Sequence, residues 1–268
     1  MNVYTKAERL LTVDKVNLSY GEKVILRDVN VDVTNITRPG MQQGQVIALL
    51  GPSGIGKTQL FRCIAGLQPF SSGEINLLNK PIRAGDIGVV QQAYPLMNHR
   101  TVWGNLKLAA RGIQARIEEA EKMLSHFGIG DKKESYPQEL SGGQRQRVAI
   151  VQQIISSAAA DHESRFLLMD EPFSGLDVIA KERVMDTIRS VTTVHEHNSV
   201  ILTSHDIESA VQLADDIWIL GREEGKPGGT VVKRICLAER GLAWDPNILH
   251  NKNYWPTVLE IKELFHTI

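Results

Sequence analysis

The stretch Gly51–Thr58 (GPSGIGKT) carries residue types whose spacing suits the binding of phosphate groups. It fits the pattern G-x-x-x-x-G-K-[ST], in which glycines let backbone N–H groups converge on phosphate oxygens. A helix that begins at this point adds about half a positive charge. Lys57 is predicted to reach the β- and γ-phosphates of a nucleotide, and Thr58 to hold Mg²⁺ through its hydroxyl. The other predicted phosphate contacts are Gly51, Pro52, Ser53, Gly54, Ile55 and Gly56.

Two adjacent carboxylates, Asp170 and Glu171, follow the apolar run Phe166–Met169. Ligands of a parallel sheet bind at the C-terminal ends of its strands, so this pair is placed for chemistry. Asp170 is predicted to hold Mg²⁺, directly or through water, and Glu171 to orient and polarise an attacking water. Such a general base typically contributes a factor of about 10²–10⁴ in rate. The alternative is a solvated acidic turn, which is weaker beside a phosphate-binding loop.

These groups need a sheet to bring them together, and three short apolar runs predict its strands. Val46–Leu50, Phe166–Met169 and Ser199–Thr203 are typical of strands that are buried on both faces. Helical patterns alternate with the apolar runs, which predicts an α/β fold with a parallel sheet. The predicted helices are Lys57–Ala65, Gln144–Ser157 and Ala180–Val191.

The flanking segments are organised differently. Leu11–Tyr20 and Val24–Val33 predict an antiparallel β region, and Asn35–Gln45 is a polar loop with Gly and Pro. Tyr94–Leu140 predicts a separate helical subdomain, because its helical patterns have no strand between them. After Gly221 we expect a turn, a strand and a helix opened by Pro256. That helix either packs on the rest of the chain or forms a surface for a partner.

Leu140–Arg147 (LSGGQRQR) resembles the LSGGQ signature of the ATP-binding cassette (ABC) ATPases almost letter for letter. Physically, it is a second anion cradle at a helix N-terminus, where free N–H groups point outward. The alternative is a simple helix cap, which does not explain why the motif occurs with the others in the right order. The predicted cradle residues are Ser141, Gly142, Gly143 and Gln144.

Further positions resemble motifs of the same family. Tyr20 is similar to the aromatic that stacks on adenine, and Gln92 to the glutamine that approaches Mg²⁺ and the lytic water. Asp177 lies in a stretch that resembles the loop contacting the opposite subunit. His205 is similar to the histidine that contacts the γ-phosphate. The alternatives are packing for Tyr20, an exposed loop residue for Gln92 and a structural role for His205.

The resemblance implies a P-loop NTPase core with a parallel sheet, an N-terminal antiparallel β subdomain and an inserted α-helical subdomain. Residues 1–93 and 141–221 would form the β subdomain and core, 94–140 the helical subdomain and 222–268 a C-terminal extension. It also implies ATP and Mg²⁺ as cofactors. The catalytic groups would be Lys57, Gln92, Glu171 and His205, and the Mg²⁺ ligands Thr58, Gln92 and Asp170. ATP would lie between Gly51–Thr58 of one subunit and Ser141–Gln144 of a second copy or a paralogous cassette.

Composition narrows the class of partner. The net charge is −1 and the chain shows no basic excess, so we expect no nucleic-acid partner. ABC ATPases that act on ribosomes or DNA are the alternative class, but they usually carry two cassettes or a long coiled-coil insertion. The resemblance therefore favours a transporter subunit that works with transmembrane permease subunits, and with a solute-binding protein if it is an importer. A docking groove for the permease is predicted to use Tyr94, Leu96, Met97 and Trp103.

No apolar run reaches the roughly 20 residues that a membrane-spanning helix needs, and residues 1–10 lack an apolar signal core. We therefore expect a cytoplasmic protein on the cytosolic face of the inner cell membrane. Three positions depart from the family pattern. Gln59 replaces a small hydroxyl residue, and Gln152 and Gln153 stand where small and basic residues are usual.

Overall fold

The computed structural model describes residues 4–37, 44–91, 94–157, 166–194 and 198–268. These residues form a mixed α/β fold with an antiparallel and a mostly parallel sheet, which confirms the predicted fold class. The strands are β1 (Thr5–Tyr20), β2 (Lys23–Thr37), β3 (Gln45–Leu50), β4 (Ser72–Leu77), β5 (Lys80–Pro81), β6 (Gly88–Val90), β7 (Phe166–Asp170), β8 (Ser199–Ser204), β9 (Asp216–Gly221) and β10 (Thr230–Cys236). The helices are α1 (Lys57–Ile64), α2 (Val102–Ala109), α3 (Gln114–His126), α4 (Gly142–Ser156), α5 (Val178–Val194), α6 (Ile207–Leu213) and α7 (Tyr254–Thr267).

The larger sheet has the strand order β10-β9-β3-β8-β7-β6 within the described residues. Its strands are parallel except for β10, which pairs antiparallel with β9. Leu50 lies opposite Ser204, and Asp170 lies opposite Thr203. The strands β3, β7 and β8 therefore end side by side, and the residues that follow them meet at one edge of the sheet.

Every residue of β3 is buried, because both faces of the sheet are covered. Ile47 and Leu49 face a core that they share with α1 and the antiparallel sheet. Val46, Ala48 and Leu50 face the opposite core, which contains side chains of the helices α2 to α7. This alternation follows from the two-residue period of a strand.

The antiparallel sheet has the order β2-β1-β4-β5 and covers α1. Leu11, Val13 and Leu18 of β1 pack in one core with Leu60 and Ile64 of α1. Since the last two residues of the phosphate-binding stretch, Lys57 and Thr58, begin α1, this packing fixes the direction in which the helix N-terminus points.

The C-terminal helix α7 is packed on the rest of the chain. Val258 and Ile261 are fully buried, and Leu264, Phe265 and Ile268 contact the same core from its margin. The side-chain amide of Gln212 donates to the Tyr254 hydroxyl at 3.1 Å, and Lys262 pairs with Glu208 at 2.8 Å. Packing on the chain is thus the outcome for this helix.

Some predicted boundaries were wrong. Asn35 continues β2 and Gln45 already belongs to β3, while residues 38–43 of the expected loop lie outside the described residues. Helix α7 begins at Tyr254, two residues before Pro256. Five elements were not predicted: β4, β5, β6, β9 and α6. Four of them have little periodicity of their own, whereas β9 (DIWILG) is an apolar run like β3 and was missed.

Candidate active site

The phosphate-binding stretch is a tight loop between β3 and α1. Gly54 and Gly56 have φ angles of 77° and 114°, a region that favours glycine. A Cβ at Gly51 would come within 2.4 Å of the Leu220 carbonyl oxygen, so only glycine fits there. Among the described residues, no side chain caps the N-terminus of α1. Its first N–H groups are therefore available to an anion.

Lys57 lies inside this loop rather than in solvent. Its ammonium donates to the carbonyl oxygens of Gly51 at 2.8 Å and Pro52 at 3.2 Å. Burial lowers the pKa of Lys57, and the carboxylates of Glu171 and Asp170 oppose that effect. The ammonium is 3.9 Å from Glu171 Oε1, so the loop and the acidic pair form one site.

Asp170 and Glu171 are held by a threonine on the neighbouring strand. The hydroxyl of Thr203 donates to Asp170 Oδ1 at 2.6 Å and accepts from the backbone N–H of Glu171 at 2.9 Å. Glu171 has a φ of 47°, an uncommon backbone conformation for a residue that is not glycine. Thr203 therefore holds the Asp170 carboxylate and the backbone of Glu171, a role that was not predicted from the sequence. Its only signal was a hydroxyl at the end of an apolar strand.

His205 follows β8 and is directed at the same acidic pair. Its Nδ1 atom is 2.8 Å from Glu171 Oε2, which is the distance of a hydrogen bond. The His205 side chain is 59% exposed, whereas that of Glu171 is 24% exposed. The neighbouring Asp206 caps α6 by accepting from the N–H of Ser209. The structure thus gathers Lys57, Asp170, Glu171 and His205 at one edge of the sheet.

The signature stretch forms the N-terminus of α4 at another place. Ser141 accepts from the N–H of Gln144 through its hydroxyl at 3.3 Å, and Gln144 Oε1 accepts from the N–H of Ser141 at 2.9 Å. This reciprocal capping box leaves Ser141, Gly142 and Gly143 exposed. In the described parts of the chain, no hydrogen bond joins Ser141 or Gln144 to the loop 51–58.

The remaining predicted site residues flank these two places. Tyr20 ends β1 and is 49% exposed, and its hydroxyl donates to Gln59 Oε1 at 2.9 Å. Thr58 is exposed in the first turn of α1. Asp177 precedes α5 and accepts from the N–H of Ala180 at 2.8 Å. Gln92 lies outside the described residues.

The predicted permease groove is partly apolar in the structure. Tyr94, Leu96 and Trp103 are half-buried against the core, whereas Met97 is 42% exposed. The ammonium of Lys133 lies 4.9 Å from the centre of the Trp103 ring. This segment therefore contains side chains that pack within the chain and one exposed apolar side chain, as a docking surface requires.

Comparison with known proteins decides the family. The family model described as ABC transporter matches residues 35–174. The chain belongs to the ABC transporter family. It is an ATP-binding subunit of this family, an ATPase whose hydrolysis of ATP energises transport.

Curated relatives agree on the type of subunit. A taurine import ATP-binding protein of Escherichia coli O157:H7 is 32% identical over 96% of this chain and 100% of its own length. A sulfate/thiosulfate import ATP-binding protein of Thermosynechococcus vestitus is 33% identical over 82% of this chain. That match spans 64% of the length of the sulfate/thiosulfate protein, which is therefore longer than the present chain.

Solved structures share the fold. CbiO1 from Clostridium perfringens, part of the ABC transporter complex cbiONQ, superimposes with a TM-score of 0.72 at 23% identity, covering 97% of this chain and 99% of that one. An ATP-binding cassette of an ABC transporter in its ADP conformation gives a TM-score of 0.70 at 19% identity, covering 91% of this chain and 98% of that one. No helix among the described residues is long and apolar enough to cross a membrane.

Proposed function

We propose that the chain is the ATP-hydrolysing subunit of an importer of a small solute. The observation that carries the proposal is the convergence of Lys57, Glu171 and His205 beside an open phosphate-binding loop. Import is the proposed direction because the similar curated proteins are named as import proteins for taurine, aliphatic sulfonates and sulfate or thiosulfate.

The chemistry proposed for the site is attack of water on the γ-phosphate. Glu171 is 2.8 Å from His205 and 3.9 Å from Lys57, so its carboxylate is oriented from both sides. That carboxylate can accept the proton of the attacking water, while Lys57 stabilises charge on the β- and γ-phosphates. His205 contacts the γ-phosphate and holds Glu171 in place.

The residues present fit a bound Mg²⁺. Asp170 accepts the Thr203 hydroxyl through Oδ1, and its Oδ2 atom has no hydrogen-bond partner among the described residues, so that Oδ2 can bind the metal; Thr58 has an exposed hydroxyl. Mg²⁺ usually binds through one or two protein oxygens together with water and substrate phosphates. When bound, the ion would neutralise charge on the phosphates. Gln92 is proposed as a further ligand on the family resemblance alone.

The working unit is proposed to be a dimer of two cassettes. Ser141, Gly142 and Gly143 are exposed at a helix N-terminus, where their N–H groups can bind an anion from outside the subunit. Val178 and Ile179, directly after Asp177, are 73% and 63% exposed. Exposed apolar side chains beside a polar site are typical of a surface that becomes buried on association.

Permease subunits are the second kind of proposed partner. The segment that begins at Tyr94 follows β6, and Val90 of β6 lies opposite Met169, the residue before Asp170, so a permease docked there would act close to the hydrolytic site. Met97 offers an exposed apolar contact and Trp103 a half-buried one. We place the assembly on the cytosolic face of the membrane, with a solute-binding protein on the other side. A role on ribosomes or DNA is not favoured, because the charge is balanced.

The test is Glu171→Gln. This substitution keeps the shape of the side chain and removes the base, so ATP hydrolysis should fall by about 10²–10⁴ while ATP binding persists. With ATP and Mg²⁺, light scattering should detect a dimer of the variant. This dimer should be absent from the double variant Glu171→Gln/Lys57→Ala. Unchanged hydrolysis in the Glu171→Gln variant, or an equally large loss of hydrolysis in a Glu263→Gln control on α7, would contradict the proposal.

A further inference from the structure

A hydrogen bond between the Tyr20 hydroxyl and the Gln59 amide joins β1 to α1, two elements that flank the proposed nucleotide site. The Tyr20 hydroxyl donates to Gln59 Oε1 at 2.9 Å. Tyr20 is the last residue of β1, and Gln59 lies in the first turn of α1, directly after Thr58. The hydrogen bond holds the Tyr20 ring beside the phosphate-binding loop. The resemblance of Tyr20 to the adenine-stacking aromatic implies that this ring contacts the base of a bound nucleotide.

Without this bond, the Tyr20 side chain would have little to hold it. It is 49% exposed and precedes a turn at Gly21, so few contacts restrict its rotamers. A mobile side chain loses about 0.5–1.5 kcal/mol of conformational freedom when a ligand immobilises it. A hydrogen bond that already selects one rotamer removes part of that cost.

We propose that Gln59 is a positioning residue for nucleotide binding: its side-chain amide acts on the base by holding the Tyr20 ring and does not contact the phosphates. The proposal rests on the proposed function and gives a role to a residue that departs from the family pattern. The small hydroxyl residue usual at this position is too short to reach as far as a glutamine amide. The bond is thus a feature of this chain's own sequence.

The experiment measures binding of two ligands to the full-length protein by calorimetry. ATP carries a base, whereas inorganic tripolyphosphate carries phosphates alone. Tyr20→Phe keeps the ring and removes the hydroxyl, and Gln59→Met keeps the length of the side chain and removes the amide. Each substitution should raise the Kd for ATP about three- to tenfold, the usual effect of losing one neutral hydrogen bond. The Kd for tripolyphosphate should change by less than about twofold.

The Kd of the double variant Tyr20→Phe/Gln59→Met for ATP should be no higher than the higher of the two single-variant values, because both changes remove the same hydrogen bond. Gln114→Met, which removes an amide from α3, is the matched control and should bind both ligands normally. Unchanged ATP affinity in either single variant would overturn the proposal. The proposal would also be overturned if Gln59→Met weakened the binding of tripolyphosphate as much as that of ATP, since Gln59 would then act on the phosphates. Failure of the unmodified protein to bind ATP would remove the proposed function itself.

Discussion

The hydroxyl of Thr203 bonds to Asp170 Oδ1 at 2.6 Å, and so joins the last residue of β7 to the neighbouring strand β8. The same hydroxyl accepts the N–H of Glu171 at 2.9 Å. Thr203 is fully buried, so no water can replace it. One side chain therefore sets the positions of both the proposed metal ligand and the proposed base.

Thr203→Val tests this role. Valine has the same shape but leaves the Glu171 N–H without its acceptor, which costs about 1–3 kcal/mol of stability. We expect at least about a tenfold lower kcat, because a small displacement of a catalytic group costs this much or more. The concentration of Mg²⁺ needed for half-maximal ATPase activity should rise. Thr203→Ser, which keeps the hydroxyl, should restore most of the activity; equal loss in both variants would assign the effect to packing.

The exposed pair Val178 and Ile179 provides a test of the dimer. Val178→Glu/Ile179→Glu places charges on a surface that the proposed dimer buries, and buried unpaired charges are costly. In the Glu171→Gln background, the ATP-dependent dimer should disappear from light scattering, while binding of ATP to the monomer is retained. Leu67→Glu is the control, since Leu67 is 53% exposed after the end of α1 that is remote from the phosphate-binding loop.

Gln153, one of the residues that depart from the family pattern, has a structural role. Its Oε1 atom accepts the N–H of Val89 at 3.2 Å, and Val89 lies in the edge strand β6, whose outer side has no partner strand among the described residues. A Cβ at Gly88 would come within 3.0 Å of the Gln153 carbonyl oxygen, which shows how closely α4 approaches this strand. The glutamine therefore satisfies a backbone donor that would otherwise be unpaired at this close contact.

Gln153→Met should lower the free energy of unfolding by about 0.5–1.5 kcal/mol, since a partly buried backbone donor loses its acceptor. Urea denaturation followed by circular dichroism measures the change. Gln152→Met is the matched control, because Gln152 is equally half-buried on the same helix and its Oε1 accepts no hydrogen bond from the residues that the structure describes. A loss as large in Gln152→Met as in Gln153→Met would show that the bond to Val89 is not the cause.

The hydrogen bonds and ion pairs of Glu260 on α7 make the stability of the fold depend on pH. Hydrogen bonds from Arg240 at 2.6 and 3.2 Å lower the pKa of Glu260 to about 2, and Lys233 adds to this effect. The unfolded chain binds the proton near its ordinary pKa of about 4.3. The stabilisation is therefore complete above about pH 4.3 and is lost as the pH falls towards 2.

Glu260→Gln should consequently lower the melting temperature at neutral pH and flatten the loss of stability between about pH 4.3 and 2. Differential scanning calorimetry over that range measures both effects. Glu263→Gln, on the exposed side of the same helix, should leave the curve of melting temperature against pH unchanged. An acid limb of the same steepness in the Glu260→Gln variant would count against the assignment.

The local sequence was sufficient to predict the core elements of the site. The glycines of 51–56 and the apolar run Val46–Leu50 identify a strand, a turn and a helix N-terminus, because backbone freedom and burial on both faces leave a direct mark on residue type. The same holds for Asp170 and Glu171 after β7. By contrast, β4 and β6 escaped prediction, since their burial comes from the sheet and helices that cover them rather than from their own periodicity.

From the sequence alone came the type of chemistry, the order of the motifs and the α/β class, since each depends on residues that are close together in the chain. Only the tertiary structure brought Thr203 to Asp170, Gln59 to Tyr20 and Gln153 to Val89. Each of these hydrogen bonds joins residues that are remote in sequence, and its geometry is set by packing. No local pattern encodes such a distance, because the strand register and the helix packing that set it are properties of the whole fold.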